Sequence, residues 1–177
     1  MPCACAKKTG AGIGAFAGEK TTANPEEWGP SFWRVLHCMA AKVGYTGSEA
    51  LDVDQARGFE FLVGGLPLVL PCLECQAHSK EYITGPGSGY NKWLGLRGNE
   101  LRLAVSKYFV DFHNAVRIRQ GKEPVVDADY TGCSVAKCDF DTIIENITYA
   151  SRIGWVKKDY WKRWHRNLNQ LKLLVGA

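Results

Sequence analysis

The cysteines are the residues whose type and spacing most clearly indicate chemistry in this chain. The sequence of 177 residues contains 7 of them, and most fall in close pairs. A pair at such short spacing can either bind a metal ion or form and exchange a disulfide bond. A chain of this length can bury a core without disulfide or metal staples, so its cysteines are available for chemistry. Their positions are Cys3 and Cys5, Cys38, Cys72 and Cys75, and Cys133 and Cys138.

The CxxC motif, Cys72 and Cys75, follows Pro71 at a point where a helix is predicted to begin. A helix N-terminus carries unpaired N–H groups and a partial positive charge, which stabilise a thiolate. We therefore expect Cys72 to be the accessible attacking thiol and Cys75, one turn deeper, to be its partner. A thioredoxin-like domain needs a βαβ context around its CxxC, and this sequence lacks one.

A zinc site is the alternative interpretation of these cysteines. Zinc needs four ligands, and Cys133, Cys138 or His78 could complete a set begun by Cys72 and Cys75. The CxxxxC spacing is loose for a zinc knuckle, so redox activity is favoured. The zinc interpretation predicts a zinc-stabilised helical binding module whose basic C-terminal helix contacts nucleic acid.

The hydrophobic pattern predicts helices and shows no convincing strand ladder or internal repeat. Asn24 and Pro25 are typical of a helix start, and Gly121 is expected to end a long helix. Pro67 and Pro71 are expected to interrupt the chain after the second helix. The predicted helices cover about 25–44, 51–65, 72–84, 99–120, 140–153 and 158–175.

This order of elements predicts an all-α protein, a four-helix bundle with a C-terminal helical extension. Residues 1–24 are rich in Gly, Ala and Thr and are predicted to be a flexible N-terminal arm. Residues 25–122 form the predicted bundle, and residues 123–177 form the predicted extension, which packs on it.

Composition indicates a globular protein without contact to a membrane. Apolar residues make up 46% of the chain and charged residues 23%, as is usual for soluble domains. The longest apolar run, residues 61–72, is far too short to cross a bilayer. No stretch near the N-terminus has the hydrophobic region of a signal peptide, so we expect a cytoplasmic protein.

Three linked motifs resemble the Erv/ALR family of FAD-dependent sulfhydryl oxidases. The family patterns are WGPxxWxxLHxxA, PCxxCxxH and HNxVNxxxGK. The matching segments here are WGPSFWRVLHCMA at 28–40, LPCLECQAH at 70–78 and HNAV at 113–116, followed by Gly121 and Lys122. They occur in the family order at compatible distances, and the resemblance covers about residues 25–122. Any one motif alone would be weak, whereas the three together are specific.

The resemblance implies a reaction and a cofactor. Cys75 would lie next to FAD and pass electrons to it, and Cys72 would exchange with thiol-containing protein substrates. Dithiols would be oxidised to disulfides, with molecular oxygen as electron acceptor and H2O2 as product, by a homodimer. The expected FAD-binding residues are Gly29, Trp33, His37, Cys75, His113, Asn114, Val116, Arg117 and Lys122.

The residue types agree with a flavin site. Trp33 and His37 are neighbours on one helix face, which places an aromatic wall beside a hydrogen-bonding imidazole. A flavin needs apolar walls for its ring and polar or basic groups for its ribose and diphosphate. Arg117, Arg119 and Lys122 at the end of the fourth helix could bind the phosphates.

The chain also departs from the family pattern. Arg117 replaces the second Asn of HNxVN, and Ser79 replaces the usual Phe after the histidine of PCxxCxxH. Val110 and Asp127 stand where many relatives carry a structural disulfide. The absence of that disulfide, the small size and the divergent C-terminal region resemble the versions encoded by large DNA viruses, and this resemblance implies a location in the host cytoplasm.

The remaining cysteines leave two candidates for a mobile shuttle pair, which many family members carry. One is Cys133 with Cys138, for which we expect a structural or auxiliary disulfide. The other is Cys3 with Cys5, on the N-terminal arm. Cys38 is expected to be a buried free thiol.

The C-terminal region is basic. From Ser151 onward it has seven Lys or Arg residues and one acidic residue, with Trp155, Trp161 and Trp164 interleaved. Such a combination can bind nucleic acid. A solvated helix face with its tryptophans packed inward, at a dimer interface for example, is the favoured interpretation.

Overall fold

The computed structural model describes residues 24–125, 133 and 135–177. Within these residues the protein has six α-helices, one 3₁₀-helix and no strand, which confirms the all-α prediction. None of these helices combines the length and the apolar character needed to cross a membrane. The predicted N-terminal arm lies, except for Asn24, outside the described residues. The elements are α1 (Pro25–Ala41), α2 (Glu49–Val69), α3 (Leu73–Thr84), a 3₁₀-helix (Tyr90–Gly95), α4 (Gly98–Arg119), α5 (Lys137–Arg152) and α6 (Lys158–Val175).

Helix α1 begins where the sequence predicts. The Asn24 side chain caps it by accepting a hydrogen bond from the Glu26 N–H at 3.0 Å, and Pro25 occupies the first turn. After the helix, Gly44 adopts φ of +75°, and a Cβ there would collide with the backbone of Gly98. Glycine at position 44 therefore allows the chain to turn while it touches the start of α4.

Helix α2 continues past Pro67 to Val69, so the predicted interruption near residue 65 is wrong. Pro67 removes one backbone hydrogen bond, which normally weakens a helix. Leu66 and Val69 on either side of it are almost completely buried, and this packing outweighs the lost bond. The helix ends at Val69, before Pro71.

The bundle and the C-terminal helices share one core. Helix α1 packs on α4 and α5, and α2 packs on α3 and α6. Two glycines of α2 allow the close approach of α6. A Cβ at Gly58 would lie 2.9 Å from the Leu171 side chain, and a Cβ at Gly65 would lie 2.6 Å from the Trp164 side chain. Trp161 and Trp164 are buried, as expected for a helix whose tryptophans pack inward.

A disulfide joins Cys38 of α1 to Cys133, with their Cα atoms 5.2 Å apart. Two predictions are therefore wrong, because Cys38 is not a free thiol and Cys133 does not pair with Cys138. The two partners are 95 residues apart in the sequence. Local spacing favoured Cys138, whereas the packing of α5 against α1 brings the segment before α5 to Cys38.

Replacing Cys133 by alanine is expected to lower the free energy of unfolding by about 2–5 kcal/mol, the usual cost of losing a native disulfide. Urea denaturation of oxidised wild type and variant measures the difference. Reductant should bring the wild type close to the variant. Equal stability of the two oxidised proteins would contradict a stabilising role.

Candidate redox and cofactor site

The predicted redox pair is a disulfide at the start of α3. Cys72 is the N-cap residue, and its Sγ accepts a hydrogen bond from the Cys75 N–H at 3.1 Å. The two Cα atoms are 5.1 Å apart, and both side chains are partly exposed. The helix therefore begins at the CxxC as predicted, and its N-terminal N–H groups can stabilise a thiolate on Cys72.

Gln76, the residue after the redox pair, connects three parts of the chain. Its Nε2 donates to the Leu70 carbonyl at 2.8 Å and to the Trp155 carbonyl at 3.1 Å. Leu70 lies just before Pro71 and Cys72, and Trp155 lies in the turn between α5 and α6. This side chain thus fixes the segment that leads into the CxxC and joins it to the C-terminal helices.

Replacing Gln76 by alanine is expected to reduce the free energy of unfolding by about 1–3 kcal/mol, because two carbonyl groups lose their donor in a partly buried site. Urea denaturation measures the loss. The exposed Gln170→Ala change on α6 is the matched control and should cost less than about 0.5 kcal/mol. If both variants were equally stable, the contacts of Gln76 would contribute nothing.

A cavity of about 330 Å³ lies against the disulfide, between α1, α3 and α4. Its walls are mainly aromatic and apolar, and its polar groups come from α3 and the end of α4. A pocket of this kind suits a flat ring system with polar substituents. The residues include Cys72 and Cys75, the apolar Trp28, Phe32, Trp33, Phe112 and Val116, and the polar Glu74, His78, Arg119 and Gln120.

Four of the predicted cofactor residues line this cavity: Gly29, Trp33, Cys75 and Val116. Two others form a layer behind Trp33. The His113 ring stacks on Trp33 with centroids 4.2 Å apart and planes at 6°. His37 Nε2 and His113 Nδ1 are 3.0 Å apart and share a hydrogen bond.

The other three predicted cofactor residues lie near the end of α4, and none of them lines the cavity. The amide of Asn114 donates to the Val125 carbonyl at 3.0 Å and accepts from the Val125 N–H at 2.8 Å. Arg117 Nε donates to the Glu123 carbonyl at 2.8 Å, and Lys122 is exposed. Asn114 and Arg117 therefore fix the segment after α4, and a role in binding a cofactor stays a prediction for all three.

The structure adds Phe112 to the site, a residue that sequence reasoning did not select. Phe112 stacks on Tyr82 at 4.5 Å and meets Trp33 edge to face at 5.3 Å. It lies four residues before Val116 on α4, so helical spacing from the HNAV motif could have identified it. Glu74 and Gln120 were also missed, and nothing in their local sequence distinguishes them from surface residues.

Burial favours the neutral form of both hydrogen-bonded histidines at pH 7. Burial lowers the pKa of His37 to about 4, with a smaller contribution from the charge of His113. Burial likewise lowers the pKa of His113 to about 4, with a smaller contribution from Arg117. At neutral pH the pair can therefore share one hydrogen bond, because each ring carries a single proton.

Acid is expected to destabilise the protein through this pair. A histidine in the unfolded chain has a pKa of about 6.5, whereas the pKa of each histidine of the folded pair is about 4. Between these two pH values the unfolded state therefore binds more protons than the folded state, and acid favours unfolding. Above about pH 7 the pair should not affect the free energy of unfolding. By about pH 5, a single histidine with this lowered pKa should reduce the free energy of unfolding by about 2 kcal/mol. Urea denaturation at these pH values measures the change.

The variant His113→Gln should show a smaller acid-induced loss than the wild type. His78→Gln, outside the pair, is the matched control and should keep the wild-type loss. Identical pH dependence in all three proteins would contradict the assignment to His37 and His113.

The four-cysteine zinc set is not assembled in this structure. Cys72 pairs with Cys75, and Cys133 pairs with Cys38. In the part of the chain that the structure describes, no three His, Cys, Asp or Glu side chains come together as a metal site requires.

Comparison with known proteins identifies two viral relatives. "Putative FAD-linked sulfhydryl oxidase 347L" of Invertebrate iridescent virus 6 is 32% identical over 102 residues, which are 58% of this chain and 86% of that protein. "Putative FAD-linked sulfhydryl oxidase 096R" of Invertebrate iridescent virus 3 is 32% identical over 99 residues, 56% of this chain and 60% of that protein. No family model and no solved structure matches the chain. The match to most of the first relative, together with a CxxC disulfide beside an aromatic cavity, shows that the chain belongs to the FAD-linked sulfhydryl oxidases.

Proposed function

We propose that this protein is an FAD-dependent thiol oxidase that forms disulfide bonds in protein substrates. The observation that carries the proposal is that the Cys72–Cys75 disulfide lines the same cavity as the aromatic side chains of Trp33 and Phe112. Electron transfer between a dithiol and a flavin requires this proximity. The names of both relatives supply the cofactor class.

The lining and the volume of the cavity support the binding of a flavin ring system there. Trp33, Phe112 and Val116 offer apolar walls, and Arg119 and Gln120 offer donors at the end of α4. Its volume of about 330 Å³ falls within the usual range for ligand pockets, about 300–1,000 Å³. When bound, FAD would take two electrons from the reduced CxxC and pass them to O2 to give H2O2.

The thiol chemistry is carried by the chain itself. A substrate thiolate attacks Cys72 Sγ, the Cys72–Cys75 bond breaks, and Cys75 leaves as a thiolate. The second substrate thiolate then attacks the substrate sulfur of the mixed disulfide and releases Cys72. The substrate leaves as a disulfide, its two thiol protons pass to solvent or to the CxxC, and its two electrons remain in the reduced pair.

The local structure favours this division of roles. Thiolate on Cys72 is stabilised by the Cys75 N–H and by the N-terminus of α3, so Cys72 is a good leaving group in the second exchange. Cys75 is the sulfur we assign to the cofactor. The other residues expected to hold FAD, the homodimer and the cytoplasmic location remain proposals from the resemblance.

Flavin content is the first test. Purified protein should show flavin absorbance and should consume oxygen and release H2O2 when given dithiothreitol. Val116→Glu, which places a charge in the cavity, should lose flavin, whereas Leu103→Glu at an exposed position of the same helix should retain it. A colourless protein with stoichiometric zinc would contradict the proposal and favour the zinc-stabilised module.

A further inference from the structure

We propose that a basic cleft between α5 and α6 binds an acidic segment of the polypeptide whose thiols are oxidised. This inference rests on the proposed function and specifies its substrate class. The cleft has a volume of about 430 Å³ and combines three cations with two hydroxyl groups and an indole. Its lining residues are Thr148, Ser151, Arg152, Lys158, Trp161 and Lys162.

The three cations are available to a ligand. Arg152, Lys158 and Lys162 are exposed, and within the described residues their side chains have no ion pair or hydrogen bond. Like charges around a concave surface add their potentials and attract anions. Carboxylates fit this set, because a guanidinium binds them in bidentate fashion and hydroxyl groups can donate to them as well.

The cleft lies close to the redox pair. Arg152 and Lys158 are each three residues from Trp155, so their Cα atoms lie at most about 11 Å from that of Trp155. The Trp155 carbonyl accepts a hydrogen bond from Gln76, the residue that follows Cys75. Through this hydrogen bond the Cα atoms of Arg152 and Cys75 are about 25 Å apart at most, a distance that roughly eight extended residues can span.

The aromatic group of the cleft is poorly suited to nucleic acid. Trp161 is buried, with its ring stacked on His165 at 4.7 Å and on Trp164 at 6.1 Å. Single-stranded nucleic acid usually binds by stacking its bases on free aromatic faces. The cations and hydroxyl groups are therefore the more exposed groups of this cleft, which favours an acidic polypeptide.

Peptides that carry one dithiol with an acidic, a neutral or a basic flank test the proposal. Binding is measured by fluorescence anisotropy with oxidised enzyme, and oxidation by oxygen consumption. The acidic peptide should have the lowest KM. In the combined variant Arg152→Ala, Lys158→Ala and Lys162→Ala, its KM should rise about tenfold, since three exposed ion pairs contribute roughly 1.4 kcal/mol together. Turnover of dithiothreitol and flavin content should be unchanged.

A second combined variant controls for net charge. Arg57→Ala, Lys92→Ala and Lys107→Ala remove the same charge from exposed positions outside the cleft and should leave the KM of the acidic peptide near the wild-type value. An equal rise of this KM in the control variant would overturn the proposal that the cleft binds the peptide. So would a lack of preference among the peptides, or binding of a single-stranded oligonucleotide through the three cations without binding of the acidic peptide.

The two levels of the proposal fail in different ways. If wild-type protein oxidises dithiothreitol but treats all three peptides alike, the cleft is wrong and the oxidase stands. If it does not oxidise dithiothreitol at all, the proposed function is wrong. Preferential binding of the acidic peptide, lost in the cleft variant, would still support the cleft as an interaction surface.

Discussion

The variant Cys75→Ser is expected to reduce thiol-driven oxygen consumption about 100-fold or more, to the level of the uncatalysed reaction. A serine hydroxyl cannot form the disulfide that accepts electrons from the substrate, and it cannot return electrons to a cofactor. Cys72→Ser should be equally inactive, since the CxxC works as a unit. An oxygen electrode with dithiothreitol as the reductant measures both losses.

The matched control for these variants is Ala77→Ser, at an exposed position of the same helix. It should keep wild-type turnover, and all three proteins should give the same helical circular dichroism. Full activity in either cysteine variant would show that another pair carries the electrons and that the assignment of Cys72 and Cys75 is wrong.

Replacing Trp164 by alanine is expected to lower the free energy of unfolding by about 3–5 kcal/mol, among the largest effects of a single core truncation. The indole is 2% exposed, packs against Gly65, and donates from Nε1 to the Leu62 carbonyl at 2.9 Å. Its loss leaves a cavity between α2 and α6 and removes that hydrogen bond. Urea denaturation followed by circular dichroism gives the value.

The control on the same helix is Leu173→Ala, because Leu173 is 82% exposed and its truncation should change the free energy of unfolding by less than about 0.5 kcal/mol. If Trp164→Ala were as mild as this control, α6 would be an appendage with little part in the core. The large loss of stability is expected because α6 packs along α2 and both helices contribute buried residues to the core.

The helices could be predicted from the sequence wherever local signals and packing agree. Asn24 and Pro25 mark the start of α1, and the bounds of α6 were predicted in full because its apolar period is long and regular. Pro67 shows the limit of this reasoning. A local rule predicts that the helix ends there, and the burial of Leu66 and Val69 overrides it.

The residues of the candidate site also divide into those that local sequence patterns predict and those that they do not. The pair Cys72 and Cys75 and the pair Trp33 and His37 could each be predicted, because the two members of each pair lie close together in the sequence. The hydrogen bond from Gln76 to Trp155 spans 79 residues, and no local pattern indicates it. Contacts of this kind depend on how distant helices pack, which a single sequence does not specify.

The disulfide between Cys38 and Cys133 could not be predicted for the same reason, because the two cysteines are 95 residues apart in the sequence. Asn114 illustrates a different limit. The motif identifies the residue, but its side chain binds the backbone of Val125 through both the N–H and the carbonyl. The motif alone does not predict this contact.

Anaerobic mixing of the flavin-containing protein with dithiothreitol tests the central claim most directly, namely that the Cys72–Cys75 pair passes electrons to bound FAD. In the wild type, the absorbance of oxidised flavin should disappear and should return when oxygen is admitted. In Cys75→Ser with the same flavin content, it should persist. Equally rapid bleaching in both proteins, or no bleaching in the wild type, would contradict the claim.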